Sequence, residues 1–89
     1  MVDIVKFREK GKQLVSEASK LEEDKKYEES LKLFEKAIVN FGFVLENDSN
    51  PYSKETLKKY VRDLEDKIEY LKKLIERDSK KEQIKEGGK

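Results

Sequence analysis

The chain has neither cysteine nor histidine, which removes disulfides, thiolate metal sites, and the commonest general base and transition-metal ligand. What remains offers no phosphate-binding glycine loop, no metal-ligand cluster and no nucleophile beside a base, so neither catalytic residues nor a cofactor is expected and the chain does not read as an enzyme. Charge of one sign is also missing. The 21 Lys+Arg nearly cancel the 20 Asp+Glu, and although 46% of residues are charged the balance is only +1. Such a surface has no global field to attract nucleic acid or an anionic membrane, and a partner has to be recognised locally. Long apolar runs are absent too. The start, MVDIVKFREKG, lacks the core of a signal peptide, and no segment approaches the roughly 20 apolar residues that span a bilayer. A cytoplasmic location without direct membrane insertion is expected, any recruitment to a membrane being made through a partner. With 89 residues the chain is one domain at most, and a domain of this size buries only about 60–65% of the surface it exposes when unfolded.

What is present is helical periodicity. Ile4, Phe7, Gly11, Leu14, Ala18 and Leu21 follow the three-and-four spacing of an amphipathic helix, with Asp3 placed to cap it. The small residues at 11 and 18 admit a close neighbour. A polar turn at Asp24 to Lys26 then forces an antiparallel hairpin with a second helix. On that helix, at about 100° per residue, Tyr27, Leu31, Phe34, Ile38, Phe41 and Leu45 share one face and Leu33, Ala37 and Val44 a second. Two stripes require two neighbours, which makes this the middle helix, with Phe34 and Ile38 expected in the core.

Asn47 to Asn50 interrupts the pattern. Pro51 has its φ pre-set and no amide hydrogen, which suits a first helical position, so Asn50 reads as the cap of a third helix. Leu57, Val61, Leu64, Ile68, Leu71 and Ile75 repeat there as a heptad seam. The expected fold is all-α, an antiparallel three-helix bundle over residues 1–78. Beyond that, SKKEQIKEGGK has one apolar residue, Ile84, too few to offset its ordering entropy, and 79–89 reads as a flexible tail or linker.

Oppositely charged residues four apart, Glu22 with Lys26, Glu28 with Lys32, Asp63 with Lys67 and Glu69 with Lys73, mark solvated helix faces, each pair worth about 0.2–0.5 kcal/mol. Val39 with Phe43, and Tyr70 with Leu74, lie off the apolar stripes. They read as solitary exposed apolar residues or as a contact site for a partner or a second copy.

YEESLKLFEKAI is similar to the second helix of a tetratricopeptide unit, but only one such hairpin is present and a solenoid needs about three. The run from 7 to 75 resembles as a whole the MIT domain, the microtubule-interacting and trafficking module. The resemblance rests on Tyr27-Glu28-Glu29, Leu31, Phe34, Ala37 and Phe41, followed by Asn50-Pro51, Ser53-Lys54-Glu55 and Leu57. It is nearest to the N-terminal domain of the AAA ATPases that disassemble ESCRT polymers, and it implies a three-helix bundle.

The function that the resemblance implies is capture of short C-terminal tails of ESCRT polymer subunits in grooves of the bundle. A helical peptide lies between the second and third helices, or an extended one between the first and third. The chain would then be a monomeric adaptor attached to an AAA ATPase or another trafficking protein. The resemblance assigns the groove floor to Leu33, Ala37, Asn40 and Val44 on helix two and to Val61 and Ile68 on helix three, residues that can also pack the core of so thin a bundle. It places Asp66 and Glu69 as acceptors of a basic peptide residue. Glu65 stands where those ATPases carry a groove-lining Leu, and Ile68 replaces a small Ala. Both changes count against the helical-peptide mode. A stand-alone structural or self-associating helical protein is the alternative, and it predicts an oligomer formed through Phe43 or Tyr70.

Overall fold

The computed structural model describes residues 3–87, with side chains described through Arg77. Three helices follow one another: α1 (Ile4–Glu23), α2 (Tyr27–Asn47) and α3 (Pro51–Gly87). No strand occurs among the described residues. The fold is the expected antiparallel bundle, with α2 in the middle packed against both α1 and α3.

Each boundary has a local cause. Asp3 caps α1 by accepting from the backbone N–H of Lys6 at 3.2 Å. The α1 C-terminus closes through Lys26 N–H to Leu21 O at 2.8 Å and Lys25 N–H to Glu22 O at 3.0 Å, the paired bonds of a Schellman motif. Its left-handed position is filled by Lys25, at φ 62°. Asn50 caps α3, its Oδ1 accepting from the N–H groups of Tyr52 at 2.9 Å and Ser53 at 3.3 Å, with Pro51 first in the helix.

The buried stripe of α2 is Ser30, Phe34, Ala37, Phe41 and Val44. It runs between the two stripes read from the sequence and takes members from both. Leu31, Ile38 and Leu45 flank it on one side and Leu33 on the other, all half-buried. Ile38, expected in the core beside Phe34, is therefore a flanking residue, because the centre of the arc lies nearer Ala37. The core is completed by Leu14 and Ala18 of α1 and by Leu57, Leu64, Ile68 and Leu71 of α3.

Small residues bring α1 close to α2. A Cβ built on Gly11 would lie 2.6 Å from the Phe41 ring, and the buried Ser30 hydroxyl donates to Ala18 O at 2.7 Å. By contrast, no Cα of α1 comes within 8 Å of a Cα of α3 among the described residues. These two parallel helices are tied by long side chains near either end. Arg8 Nη2 donates to Ser53 Oγ at 3.1 Å, and Lys67 Nζ donates to Glu22 Oε2 at 3.1 Å. Both ties join residues 45 apart in sequence, so α1 and α3 run in one register along their shared length. Glu22 and Lys67 meet across the bundle, where the sequence spacing had paired Glu22 with Lys26 and Asp63 with Lys67. The α1–α3 gap puts that partner within reach.

The 37 residues of α3 span roughly 55 Å at 1.5 Å per residue, whereas α1 and α2 span about 30 Å. The long axis of 59 Å is thus set by α3, which continues past the hairpin end of its neighbours. Residues 79–87, expected to be a tail, carry on its backbone helix.

Candidate functional site

A groove opens on each side of α3, because α3 touches α2 along one flank only and stands off from α1. On the α2 side, Glu35, Ile38 and Val39 face Glu65, Ile68, Glu69 and Lys72 across a cleft of about 410 Å³. On a helix turning roughly 100° per residue, positions 65, 69 and 72 lie within one 60° arc beside the core stripe of α3. Three carboxylates stand there against one ammonium. All four charged residues are exposed, and among the described residues no group of acidic side chains is arranged to hold a metal ion.

The groove residues expected from the sequence separate into distinct groups. Glu65, Ile68 and Glu69 come together in this cleft. Ala37 and Val44 are 0% exposed and belong to the core, out of reach of a ligand. Leu33 and Val61 are half-buried and pack against that core. Asn40 lies on the opposite flank of α2, beside Phe7, Lys10 and Gln13 of α1, its amide donating to Lys36 O at 2.8 Å. The arc containing Leu33 and Asn40 faces α1, and the side of α2 turned to α3 is that of Ile38 and Val39. Asp66 is exposed and does not line the cleft, since one residue of helix rotation carries it away from Glu65. The acidic pair on this rim is Glu65 with Glu69, four apart, in place of Asp66 with Glu69.

On the α1 side, a larger cleft of about 720 Å³ runs beside the start of α3. Arg8 and Lys12 of α1 form one wall, Phe41 lies at the floor, and Ser53, Thr56, Leu57 and Tyr60 form the other. Tyr60 sets its ring edge-on to Phe41, with centroids 5.4 Å apart and planes at 77°, and burial pushes its phenol pKa up from the ordinary value. Arg8 is fixed at the head of the cleft, donating to Asp48 Oδ2 at 3.2 Å as well as to Ser53. Asp48 is itself buried in the α2–α3 connection and accepts from Asn50 N–H at 2.9 Å. That backbone bond, then the bond with Ser53 and the Arg8 charge, hold its carboxyl below the usual range against the opposing effect of burial. Sequence reasoning named none of Arg8, Lys12, Asp48 and Tyr60. The only trace of them was positional, in that Arg8 with Lys12 and Thr56 with Tyr60 are four apart beside an apolar stripe, a pattern shared with every solvated helix face.

The off-stripe apolar residues do not gather into one patch. Phe43 stacks on Phe7 of α1 with centroids 5.0 Å apart, Val39 lines the α2–α3 cleft, Leu74 packs against the core, and the Lys67 ammonium lies 5.8 Å from the centre of the Tyr70 ring.

The family model of the MIT (microtubule interacting and transport) domain matches residues 9–73, which takes in most of α1, all of α2 and the part of α3 that packs on it. The chain belongs to the MIT family. An MIT domain is a protein-interaction module that binds peptide motifs, and both grooves of this one are interhelical clefts open to solvent. No curated protein and no solved structure matches the chain. Among the described residues no helix is long and apolar enough to cross a membrane.

Proposed function

We propose that this MIT domain is an adaptor that captures C-terminal tail motifs of ESCRT polymer subunits in a groove beside α3 and so recruits an attached AAA ATPase or another trafficking protein. The observation that carries this reading is the α2–α3 cleft, where Ile38, Val39 and Ile68 offer apolar contact beneath a rim of Glu35, Glu65 and Glu69. A short amphipathic peptide would seat its apolar residues there and set its register by a basic residue on the rim. Glu65 and Ile68 adapt the cleft to a ligand with a second basic residue and a small side chain at the point of closest approach. The domain acts as a monomer, by a few preformed contacts, and its affinity should be micromolar, about −6 to −8 kcal/mol.

The test is a titration of the isotope-labelled domain with a panel of such tails, followed by amide chemical shifts. Shifts at Ile38, Val39, Glu65 and Glu69 with saturable micromolar binding are expected. A panel that moves no resonance beside either face of α3 overturns the reading.

A further inference from the structure

The two grooves beside α3 carry opposite charge. Glu35, Glu65 and Glu69 against Lys72 make the α2 side acidic, whereas Arg8 and Lys12 line the α1 side and no carboxylate does. Arg8 is already neutralised by Asp48. Lys12 is exposed and has no ion-pair partner among the described residues.

We propose that the α1–α3 groove selects acidic peptide segments, with Lys12 as the specificity-determining residue, so that the domain sorts ligands by charge between its two grooves. The inference rests on the adaptor reading and names the ligand class of its second groove. Three features favour a peptide that combines a carboxylate with an apolar residue. Leu57 and the exposed ring of Tyr60 provide the apolar contact, backed by the buried Phe41 ring against which Tyr60 packs edge-on. Thr56 and Tyr60 bring hydroxyls to the wall of the cleft; the Thr56 oxygen, which donates to Tyr52 O, can accept a peptide N–H, and the Tyr60 hydroxyl can serve either group of an extended chain. Lys12 then supplies a point charge at the rim, and like charge across the groove disfavours a basic segment. Because the contact lies at a solvated rim, its contribution is modest and falls with salt.

Two peptides of equal length and identical apolar spacing, one with glutamates and one with lysines at the charged positions, are titrated into the unaltered domain and into Lys12→Glu. An acidic control with its apolar residues replaced by serine completes the set. We expect the acidic peptide to shift Thr56 and Tyr60, to lose about three- to tenfold in affinity on Lys12→Glu, and to bind more weakly as salt is raised. The lysine peptide should map to Ile38 and Val39 and bind Lys12→Glu at least as well. Circular dichroism of Lys12→Glu should be unchanged, the side chain being exposed. If both peptides bind but Lys12→Glu leaves the acidic one unaffected, or the acidic one maps to the α2 side, charge sorting is overturned while the adaptor reading stands. If the serine control binds as well as its parent, the groove is merely a cationic surface and the inference also fails. If no peptide binds in either groove, the adaptor reading falls and takes this inference with it.

Discussion

Gly11 and Phe41 meet where α1 packs closely on α2: a Cβ on Gly11 would sit 2.6 Å from two carbons of the Phe41 ring. The ring cannot retreat, because Phe41 is 0% exposed and meets Tyr60 of α3 on another side. Gly11→Ala should therefore destabilise the domain by about 1–2 kcal/mol, overpacking outweighing the roughly 1 kcal/mol gained in helix propensity. Gly42, with nothing within 4 Å of its added Cβ, should respond with the opposite sign, Gly42→Ala stabilising by up to about 1 kcal/mol. Urea unfolding of the two variants checks both, and equal shifts of one sign would refute the assigned packing.

Lys25 holds a left-handed conformation, φ 62°, that glycine adopts without steric cost. Lys25→Gly should stabilise the hairpin by about 0.5–1 kcal/mol, the relief of strain exceeding the extra entropy of an unfolded glycine. A rise in melting temperature of a few degrees is the expected reading, and a fall would show that the lysine side chain contributes more than its backbone strain costs.

The bundle was legible in the sequence because its signals are local. The Asp3 and Asn50 caps, Pro51 at a helix start and the small residues of α1 each act within a few residues, and each is found where it was expected. Of the α3 seam, Leu57, Val61, Leu64, Ile68 and Leu71 pack as expected, but Leu74, read as off the seam, joins the core in place of Ile75. The groove was less legible because it depends on which neighbour each flank of α2 meets. Periodicity gives the angle between Leu33 and Ile38 but not which of them faces α3. Of the residues read as groove floor, Ala37 and Val44 lie in the core and Asn40 beside α1, whereas Ile38 and Val39 line the α2–α3 cleft. The second groove was hidden for another reason. Arg8 lies 40 or more residues before Asp48 and Ser53 in sequence, and only the common register of α1 and α3 brings it to them.

Phe34 and Ile38 test that corrected arc. Phe34 is 2% exposed, and Phe34→Ala should cost about 3–5 kcal/mol, enough to unfold much of so small a domain. Ile38 is half-buried and lines the α2–α3 cleft. Ile38→Ala should cost less, about 1–2 kcal/mol, and should weaken a peptide bound on that side while the fold survives. Thermal melts measured beside peptide titrations separate the two, and equal destabilisation would return Ile38 to the core.

Asp48 should make the domain acid-sensitive. Its carboxyl is held below the ordinary value of 3.8, first by Asn50 N–H and then by Ser53 and Arg8. A carboxyl depressed in the folded state contributes stability that is fully present above the unfolded pKa. That contribution is lost as pH falls through the lower folded value. Asp48→Asn removes this dependence. The variant should be less stable than the parent near neutral pH, and the gap should narrow between about pH 4 and pH 2. Urea midpoints measured across that range check it, and parallel curves would show that the Asp48 charge is not linked to folding.

The overhang of α3 should be separable from the bundle. The last side chains seen to join the packed interior are those of Leu71 and Leu74, Ile75 being half-buried, and the segment that follows has one apolar residue, Ile84. A single exposed helix end is marginal in water without packing, so it should fray independently of the folding of the core. Removing 79–89 should shift stability by less than about 0.5 kcal/mol, or under about 4 °C in melting temperature, while lowering the helical signal in proportion to the residues lost. Hydrogen exchange on the full chain provides the second readout, with amide protection expected to fall off after Ile75. A melting temperature that drops well beyond that margin, or strong protection past Lys81, would mean that the distal part of α3 is held by the bundle and that the domain extends beyond residue 78.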